Sequence, residues 1–221
     1  MKKFAVIVAG GIGSRMNTSV PKQFLLLKNK PLIYYTIQRF LESFEDVQII
    51  LVLPVETISI GQEIIDGYFD HSRIWLTHGG RTRFHSVKRG LDLVTEESII
   101  FVHDGVRCMV SKDLIQRCYH SALEFGTAIP AIPSKDSIRV VKGDENFAVE
   151  RDSIRIIQTP QTFHSKILLP AYNIDYKDKF TDEASVVESY GLKVHLVEGE
   201  ENNIKITCPL DLKIAEALLF K

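Results

Sequence analysis

A glycine-rich segment near the start of the chain is followed closely by two cations. It comprises an apolar run, three glycines and two basic side chains: residues 4–9, Gly10, Gly11, Gly13, Arg15 and Lys22. Glycines allow backbone N–H groups to approach a ligand closely, and nearby cations neutralise negative charge. The segment therefore predicts a phosphate-binding loop, and an ordinary strand-to-loop turn is the alternative.

Two common phosphate loops do not match this segment. The dinucleotide-binding fingerprint requires a third glycine at the position of Met16. The P-loop requires a glycine immediately before its lysine, where this chain has Pro21 before Lys22. The glycines and cations thus indicate a phosphate ligand without naming its class.

Polar residues that could complete a site follow later predicted strands. Asp104 comes directly after the apolar run at residues 99–103, and Arg107 lies three positions further on. Gly79 and Gly80 join a short strand to a helix, which suits a close approach of the backbone to a base or phosphate. In open α/β sheets such residues meet at the carboxyl ends of the strands. A capping aspartate and a simple turn are the alternatives.

Short apolar runs alternate with helical patterns along the chain. The runs predict strands at residues 4–9, 47–53, 74–77, 99–103 and 128–132. The helical patterns fall at residues 32–44, 57–69, 82–94 and 112–125. Continuous apolar, β-branched strands are typical of a sheet buried on both faces, and strand–helix alternation favours parallel pairing. We therefore expect a single α/β domain over residues 1–221, with a mostly parallel, Rossmann-like sheet flanked by helices.

A charged segment interrupts this alternation. Residues 137–142 and 146–153 read as two strands around a turn with Gly143 and Asp144, which predicts a β-hairpin within residues 134–153. Its many charges exclude it from the core, so it is either a solvated flap or an arm that packs on another subunit. We favour the protruding arm, because an isolated hairpin is only marginally stable.

The last part of the chain predicts shorter elements. They are two short helices, a strand and a terminal helix, at residues 165–173, 181–190, 193–197 and 209–220. Before the terminal helix, a β-prone run places Asn203, Lys205 and Thr207 on one side of a strand. This polar face is either one wall of a site or a solvated edge.

Composition limits the classes of partner and compartment. The net charge of −1 gives no general attraction to nucleic acid or to an anionic membrane. No segment approaches the roughly 20 apolar residues that span a bilayer. The three cysteines lack metal or redox spacing and indicate a reduced, cytoplasmic protein, and the seven histidines lack the spacing of a metal site.

Seven short motifs occur in order along nearly the whole chain. They are Ala9-Gly10-Gly11-Ile12-Gly13-Ser14-Arg15-Met16, Pro21-Lys22-Gln23-Phe24, Gly79-Gly80 with Arg83 and Ser86-Val87, His103-Asp104-Gly105-Val106-Arg107, Thr159-Pro160-Gln161, Thr181-Asp182-Glu183-Ala184-Ser185 and Asn203-Ile204-Lys205-Ile206-Thr207. Together they resemble the 2-C-methyl-D-erythritol 4-phosphate cytidylyltransferases of the non-mevalonate isoprenoid pathway. Each motif is weak alone, whereas seven in order are specific.

The resemblance implies a CTP-dependent, Mg²⁺-assisted transfer of CMP to a polyol phosphate, with release of pyrophosphate. It also implies a homodimer in which the hairpin arm reaches the partner's active site. The catalytic cations would be Arg15 and Lys22. The nucleotide would be bound by Ala9, Gly10, Gly11, Gly13, Gly80, Arg81 and Ser86. The acceptor would be bound by Asp104, Arg107, Asp136, Ser137, Thr181 and Lys205, and by Arg151 from the other subunit.

Three positions depart from the usual residues of that family. Cys108 stands where a proline is common, Ser137 replaces a threonine, and Arg81 occupies a position that is often acidic. Ser137 keeps the hydroxyl, and none of the three changes removes a charge that the reaction needs.

The proposed chemistry needs no general base. A phosphate monoester is largely ionised near pH 7 because its second pKa is about 6. Catalysis would then consist of positioning and cationic stabilisation, with Mg²⁺ held mainly by triphosphate oxygens and no metal ligand expected from the chain. Two alternatives stay open: a D-ribitol-5-phosphate cytidylyltransferase with the same chemistry, and a non-catalytic CTP-binding protein.

Overall fold

The computed structural model describes residues 1–11 and 20–219. Within these ranges the strands are β1 (Lys2–Val8), β2 (Leu26–Leu27), β3 (Lys30–Pro31), β4 (Val47–Leu53), β5 (Ile74–His78), β6 (Ser98–Asp104), β7 (Thr127–Pro133), β8 (Ile138–Lys142), β9 (Glu145–Val149), β10 (Arg155–Ile157), β11 (Gln161–His164) and β12 (Leu196–Glu198). The α-helices are α1 (Leu32–Ser43), α2 (Ile58–Tyr68), α3 (Arg83–Leu91), α4 (Lys112–Phe125), α5 (Ser165–Ala171), α6 (Glu183–Ser189) and α7 (Pro209–Leu218).

The described residues form a central sheet of eight strands, six of which run in the same direction. β5, β4, β1 and β6 are neighbours in that order and pair in parallel. β11 pairs antiparallel with both β6 and β7, and β10 pairs antiparallel with β7. β12 pairs in parallel with β7. The expected mostly parallel sheet is confirmed, with two antiparallel strands that the sequence patterns did not predict.

Helices cover both faces of this sheet. In β1, Ala5 and Ile7 belong to the core on one face, whereas Phe4 and Val6 belong to the core on the other. α1, α2 and α4 contribute to the first core, and α3, α5 and α6 contribute to the second. Because alternate side chains of a strand point to opposite faces, this arrangement requires an apolar residue at nearly every strand position.

β10 and β11 lie one after the other along β7, but their registers differ. Ile157 pairs with Ala131, whereas Thr162 pairs with Ala128. Between these two pairs, the chain that runs from β10 into β11 has four residues, 158–161, and β7 has only two, 129–130. The two additional residues interrupt the strand close to the carboxyl end of β6, where Gln161 pairs with Val102. The interruption therefore places irregular backbone beside the strand ends at which a site is expected.

β8 and β9 form an antiparallel hairpin that is separate from the central sheet. Its second strand is shorter than expected, since β9 ends at Val149 and a 3-10 turn follows at Arg151–Ser153. Ile138 pairs with Val149, and Val140 pairs with Phe147. These cross-strand pairs give the hairpin one apolar face, although its composition is strongly charged.

The segment at residues 203–207 is not the strand that its alternation predicts. Asn203 is buried, and Lys205 extends to Asp104 instead of lying at a sheet edge. Asn203 and Lys205 contact residues at the strand ends, whereas Thr207 donates to Asp211 in the first turn of α7, so their alternation does not reflect a pleated strand. The preceding strand is also displaced from residues 193–197 to Leu196–Glu198. Among residues 1–11 and 20–219, no helix is both long and apolar enough to cross a membrane.

Candidate active site

Two adjoining cavities open at the carboxyl ends of the parallel strands. The larger, of about 650 Å³, is lined by the chain after β1, β4 and β5 and by the start of α3. The smaller, of about 230 Å³, is lined by the chain between β10 and β11 and by the residues before α6. Arg83, Asp104 and Lys205 line both cavities and are called the charged wall below. The cavities are therefore two parts of one site.

The glycine segment after β1 and a nearby lysine face the larger cavity. Ala9, Gly10, Gly11 and Lys22 all line it. A Cβ added to Gly11 would lie 3.3 Å from Cε of Lys22, so the lysine side chain passes close to the loop backbone. Nζ of Lys22 also donates to the carbonyl of Ile206 at 3.3 Å. Backbone N–H groups and a cation are thus available on the same side of the cavity.

The turn between β5 and α3 forms a second side of the larger cavity. The N–H of Gly80 donates to Oγ of Ser86 at 3.1 Å, and that hydroxyl is 3.0 Å from the carbonyl of Thr82. A Cβ at Gly80 would lie 2.5 Å from Cβ of His85, which leaves no room for another residue type. Arg81 lines the cavity at the same turn. The turn therefore presents a backbone edge that is held in one position.

Asp104, the last residue of β6, is the carboxylate of the charged wall. Nζ of Lys205 lies 2.9 Å from Oδ2, and Nε of Arg107 lies 3.6 Å from the same oxygen. Arg83 approaches Oδ1, at 3.3 Å from Nη2 and 3.4 Å from Nε. Burial alone would raise the pKa of Asp104, but the three cations outweigh it and hold the pKa well below its usual range. Asp104 therefore stays ionised at neutral pH.

Arg83 links Asp104 to a second, fully buried carboxylate. Nη1 and Nη2 of Arg83 donate to the two oxygens of Glu183, and the Nη2 bond is 3.1 Å long. Tyr172 donates its hydroxyl to Oε1 of Glu183 at 3.2 Å. Burial alone would lower the pKa of Arg83, but the attraction of Glu183 and Asp104 raises it. Burial also raises the pKa of Tyr172, which therefore remains a donor.

Thr159 and His103 hold the backbone around Asp104. The N–H of Asp104 donates to Oγ1 of Thr159 at 3.1 Å, and the same hydroxyl lies 3.0 Å from Nδ1 of His103. Nε2 of His103 lies 3.2 Å from the carbonyl of Arg107. Complete burial lowers the pKa of His103 to about 4. The imidazole is therefore neutral near pH 7 and orders this turn through hydrogen bonds.

The smaller cavity combines positive charge, hydroxyl groups and one aliphatic side chain. Arg83, Arg107 and Lys205 supply positive charge, which exceeds the negative charge of Asp104 and Asp182. Thr181 supplies a hydroxyl. Nη1 of Arg107 donates to the carbonyl of Asn203 at 2.8 Å, which orients the guanidinium. Of the described residues that line this cavity, Ile157 is the one with an aliphatic hydrocarbon side chain. A phosphate and several hydroxyls would find partners here, beside one apolar contact.

Most of the predicted site residues that the structure describes lie in one region. Those that line the cavities are Ala9, Gly10, Gly11, Lys22, Gly80, Arg81, Ser86, Asp104, Arg107, Thr181 and Lys205. Gly13 and Arg15 lie outside the described residues. Asp136, Ser137 and Arg151 are exposed, belong to the hairpin segment and line neither cavity of their own chain.

Three residues near the cavities were not selected as site residues from the sequence. Arg83 and Glu183 each follow a helix N-cap, where a charged side chain is ordinarily a solvated one. Glu183 has no exposed area here, and only tertiary packing reveals that. Gln23 lines the larger cavity, is 1% exposed and has no hydrogen-bond partner for its amide among the described residues. In the sequence, the one indication that Gln23 belongs to the site is that it directly follows Lys22.

Comparison with known families assigns this arrangement to one group of enzymes. A family model described as IspD, 2-C-methyl-D-erythritol 4-phosphate cytidylyltransferase, matches residues 4–221. The chain belongs to this family. The 2-C-methyl-D-erythritol 4-phosphate cytidylyltransferase of Phocaeicola vulgatus is 43% identical over 219 residues, which are 99% of this chain and 100% of that relative.

Solved structures of the IspD family share the fold. The 4-diphosphocytidyl-2C-methyl-D-erythritol synthase of Anaerococcus prevotii matches with a TM-score of 0.85 and 28% identity, covering 100% of this chain and 99% of that chain. The bifunctional IspDF of Campylobacter jejuni matches with a TM-score of 0.81 and 31% identity. That match covers 96% of this chain and 54% of the bifunctional one. The central sheet and its helices are thus those of the IspD nucleotidyltransferases.

Proposed function

We infer that this chain transfers CMP from CTP to 2-C-methyl-D-erythritol 4-phosphate and releases pyrophosphate, in isoprenoid precursor synthesis. Its membership of the IspD family and the names of its relatives support this activity. Within the site, the charged wall of Arg83, Asp104 and Lys205 supports it best, because both cavities share this wall. A nucleotide in the larger cavity and an acceptor in the smaller one would meet there.

CTP would occupy the larger cavity. The backbone N–H groups of Gly10 and Gly11 would contact the triphosphate, together with Lys22 and, by family resemblance, Gly13 and Arg15. The N–H of Ala9 donates to the carbonyl of Val52 at 3.0 Å, so Ala9 would line the nucleotide site without donating to it. The base would lie against the turn that contains Gly80, Arg81 and Ser86. A backbone carbonyl at that turn can accept a hydrogen bond from the exocyclic amine of cytosine, which uracil lacks.

The acceptor would occupy the smaller cavity. Its phosphate would be bound by Arg107, Thr181 and Lys205, and its hydroxyls would donate to the ionised carboxylate of Asp104. Ile157 offers an apolar contact for the methyl branch, which favours methylerythritol phosphate over the unbranched ribitol phosphate. This contact is the feature of the described cavity that distinguishes the two acceptors.

Transfer of CMP requires two anions to approach each other. A phosphate oxygen of the acceptor attacks the α-phosphorus of CTP, one P–O bond forms, and the bond to the leaving pyrophosphate breaks. Because the attacking oxygen is already ionised near pH 7, no proton has to be removed first. The chain's contribution is to orient the two phosphates and to neutralise the charge that develops, with Arg15 and Lys22 beside the triphosphate.

A divalent cation fits this site as a companion of the nucleotide. Three cationic side chains already surround Asp104, and they would repel a divalent cation from its carboxylate. We propose that Mg²⁺ is held mainly by triphosphate oxygens and water, as is usual for this ion. When bound, it neutralises phosphate charge.

The proposed enzyme is a homodimer with shared active sites. The apolar face of the hairpin, formed by Ile138, Val140, Phe147 and Val149, supports a role as an arm that packs on a second copy. Asp136, Ser137 and Arg151 would then act in the partner's smaller cavity. A cytoplasmic location is proposed as well, and the free thiols at Cys108, Cys118 and Cys208 support it.

A direct competition assay tests the acceptor. With CTP and Mg²⁺, we expect kcat/KM for 2-C-methyl-D-erythritol 4-phosphate to exceed that for D-ribitol 5-phosphate at least tenfold, a difference of about 1.4 kcal/mol. The variant Ile157→Ala should reduce this ratio by lowering only the first value. Equal or better use of ribitol phosphate would assign the chain to the ribitol enzymes. Binding of CTP without any pyrophosphate release would instead indicate a non-catalytic CTP-binding protein.

A further inference from the structure

The two edges of the Arg83 guanidinium face two different carboxylates. Its end-on edge, Nη1 and Nη2, engages both oxygens of Glu183, with the Nη2 bond at 3.1 Å. Its side edge, Nε and Nη2, faces Oδ1 of Asp104 at 3.4 and 3.3 Å, which are long contacts for charged partners. Glu183 therefore holds the arginine more tightly than Asp104 does.

The oxygens of Asp104 are unequally occupied as a result. Oδ2 contacts Lys205 at 2.9 Å and Arg107 at 3.6 Å. Oδ1 is approached, among the described side chains, by Arg83 at long distance only. A carboxylate oxygen accepts two or more hydrogen bonds, so Oδ1 retains capacity for a further donor. Asp104 lines both cavities, and a ligand in either can reach it.

Glu183 is itself held in a fixed position. Its side chain has no exposed area, compared with 27% for Arg83 and 10% for Asp104. The hydroxyl of Tyr172, the residue that follows α5, donates to Oε1 at 3.2 Å. The adjacent N–H of Ala184 donates to the buried amide of Gln161 at 2.8 Å, which anchors the start of α6 to β11. Burial and the anchoring of α6 are sufficient to keep the carboxylate in place if the arginine moves.

We propose that Glu183 is a positioning residue for the acceptor: it holds Arg83 back, so that Oδ1 of Asp104 can accept a hydrogen bond from an acceptor hydroxyl. The proposal rests on the proposed function, because it assigns Asp104 to the acceptor. Without Glu183, the guanidinium would close on Asp104 and form the usual bidentate pair. Arg83 would then occupy the oxygen that the acceptor needs.

The test is a double-mutant cycle in the full-length enzyme with CTP and Mg²⁺. Glu183→Gln should lower kcat/KM for 2-C-methyl-D-erythritol 4-phosphate at least about tenfold, mainly through KM, while KM for CTP changes less than about twofold. In an Asp104→Asn background, the same change should no longer lower acceptor kcat/KM. The added positive charge near the acceptor phosphate is common to both backgrounds and cancels in the cycle.

Tyr172→Phe is the matched control. It removes one hydrogen bond from the same carboxylate but leaves the ion pair with Arg83, so KM for the acceptor should stay within about twofold of wild type. An equal loss in Tyr172→Phe, or an equal effect of Glu183→Gln in both backgrounds, would overturn the proposal and assign Glu183 to the packing of α6. If Glu183→Gln does not fold, Arg83→Lys takes its place in the same cycle. A lysine ammonium lacks the two edges with which the guanidinium faces Glu183 and Asp104 separately.

The wild-type enzyme separates this proposal from the proposed function. If wild type does not use the methylerythritol phosphate, the function itself fails. If wild type uses it and the cycle shows no coupling between Glu183 and Asp104, the function stands and the positioning role is wrong.

Discussion

Lys22 is the proposed catalytic cation that the structure describes, and its replacement tests the chemistry at the larger cavity. Lys22→Ala should lower kcat by about 10²-fold or more, the scale of losing one group that stabilises developing charge. CTP binding should weaken less, because the glycine backbone remains. Arg15→Ala should behave alike. Steady-state kinetics on folded variants measure both effects.

A matched control for this change is Lys213→Ala. Lys213 is exposed on α7 and lines neither cavity, so its removal should leave kcat within about twofold of wild type. If Lys22→Ala retained the kcat of this control, Lys22 would be no more than a contributor to packing around Ile206.

The buried neutral histidine predicts a loss of stability in mild acid. Burial lowers the pKa of His103 to about 4 from an ordinary 6.5, so the unfolded chain takes up a proton below pH 6.5 while the folded chain does not. The contribution of His103 to the free energy of unfolding is therefore fully present above pH 6.5 and is lost as the pH decreases toward 4. This group alone should cost about 2 kcal/mol between pH 7 and pH 5.

Urea denaturation at the two pH values measures this effect. The variant His103→Gln should be less stable than wild type at pH 7 but should lose about 2 kcal/mol less on acidification. Asp104 adds a separate loss only below about pH 4, since its pKa is lowered and that of an unfolded aspartate is about 3.9. An unchanged pH slope in His103→Gln would contradict the assignment.

Individual residues could be predicted from the sequence where a motif fixed both their type and their place. Asp104 and Lys205 are examples, because Asp104 ends a predicted strand, Lys205 lies within the motif at residues 203–207, and both line the cavities. Glu183 could not be predicted, because its position after an N-cap is equally suited to a solvated side chain. Its role depends on an arginine one hundred positions away, and no local pattern records that pairing.

At the scale of elements, two glycine turns should respond differently to the same substitution. Gly80→Ala places a Cβ 2.5 Å from Cβ of His85 and 3.1 Å from its carbonyl carbon, both fixed in α3. We expect a loss of about 1–3 kcal/mol in stability. Gly10→Ala meets no described atom within 4 Å and should keep its stability, while KM for CTP rises at least about tenfold if the triphosphate approaches this backbone.

Thermal melts and CTP kinetics on the pair separate the two effects. Wild-type stability in Gly80→Ala would show that the turn can move away from α3. Wild-type CTP kinetics in Gly10→Ala would place the triphosphate away from this glycine.

The elements that sequence patterns predicted are those with long apolar runs. β1, β4 and β6 are buried on both faces, so nearly every position carries an apolar residue and the strand is visible in the sequence. β10 and β11 were not predicted, because they have three and four residues and a polar break between them. At residues 203–207 alternation was present without a strand, because the alternating side chains make separate tertiary contacts, with Thr159, Asp104 and Asp211. Local periodicity cannot distinguish these causes.

At the scale of the whole molecule, the proposed sharing of active sites between two subunits predicts that two impaired variants rescue each other. Arg151→Ala should raise KM for the polyol phosphate far more than KM for CTP. In a hybrid dimer of Arg151→Ala with Lys22→Ala, one site regains both residues. Equal mixing with subunit exchange gives hybrids in half of the dimers, so about a quarter of wild-type activity should return.

The measurement is activity after refolding the two variants together, with light scattering to establish the dimer. Mixing Arg151→Ala with a second preparation of itself is the control and should restore nothing. A monomer in solution, or hybrids verified by mass without recovered activity, would exclude an arm that completes the neighbouring site.

The step between β10 and β11 has a consequence for how this chain can change in length. Its two surplus residues give Thr159 its place, where the hydroxyl contacts Asp104 and His103 and the carbonyl accepts from Asn203 at 2.8 Å. A chain two residues shorter could form an unbroken ladder along β7 and would lose one side of the smaller cavity. A two-residue deletion at this step would therefore make the sheet more regular and remove the contacts by which Thr159 orders the site.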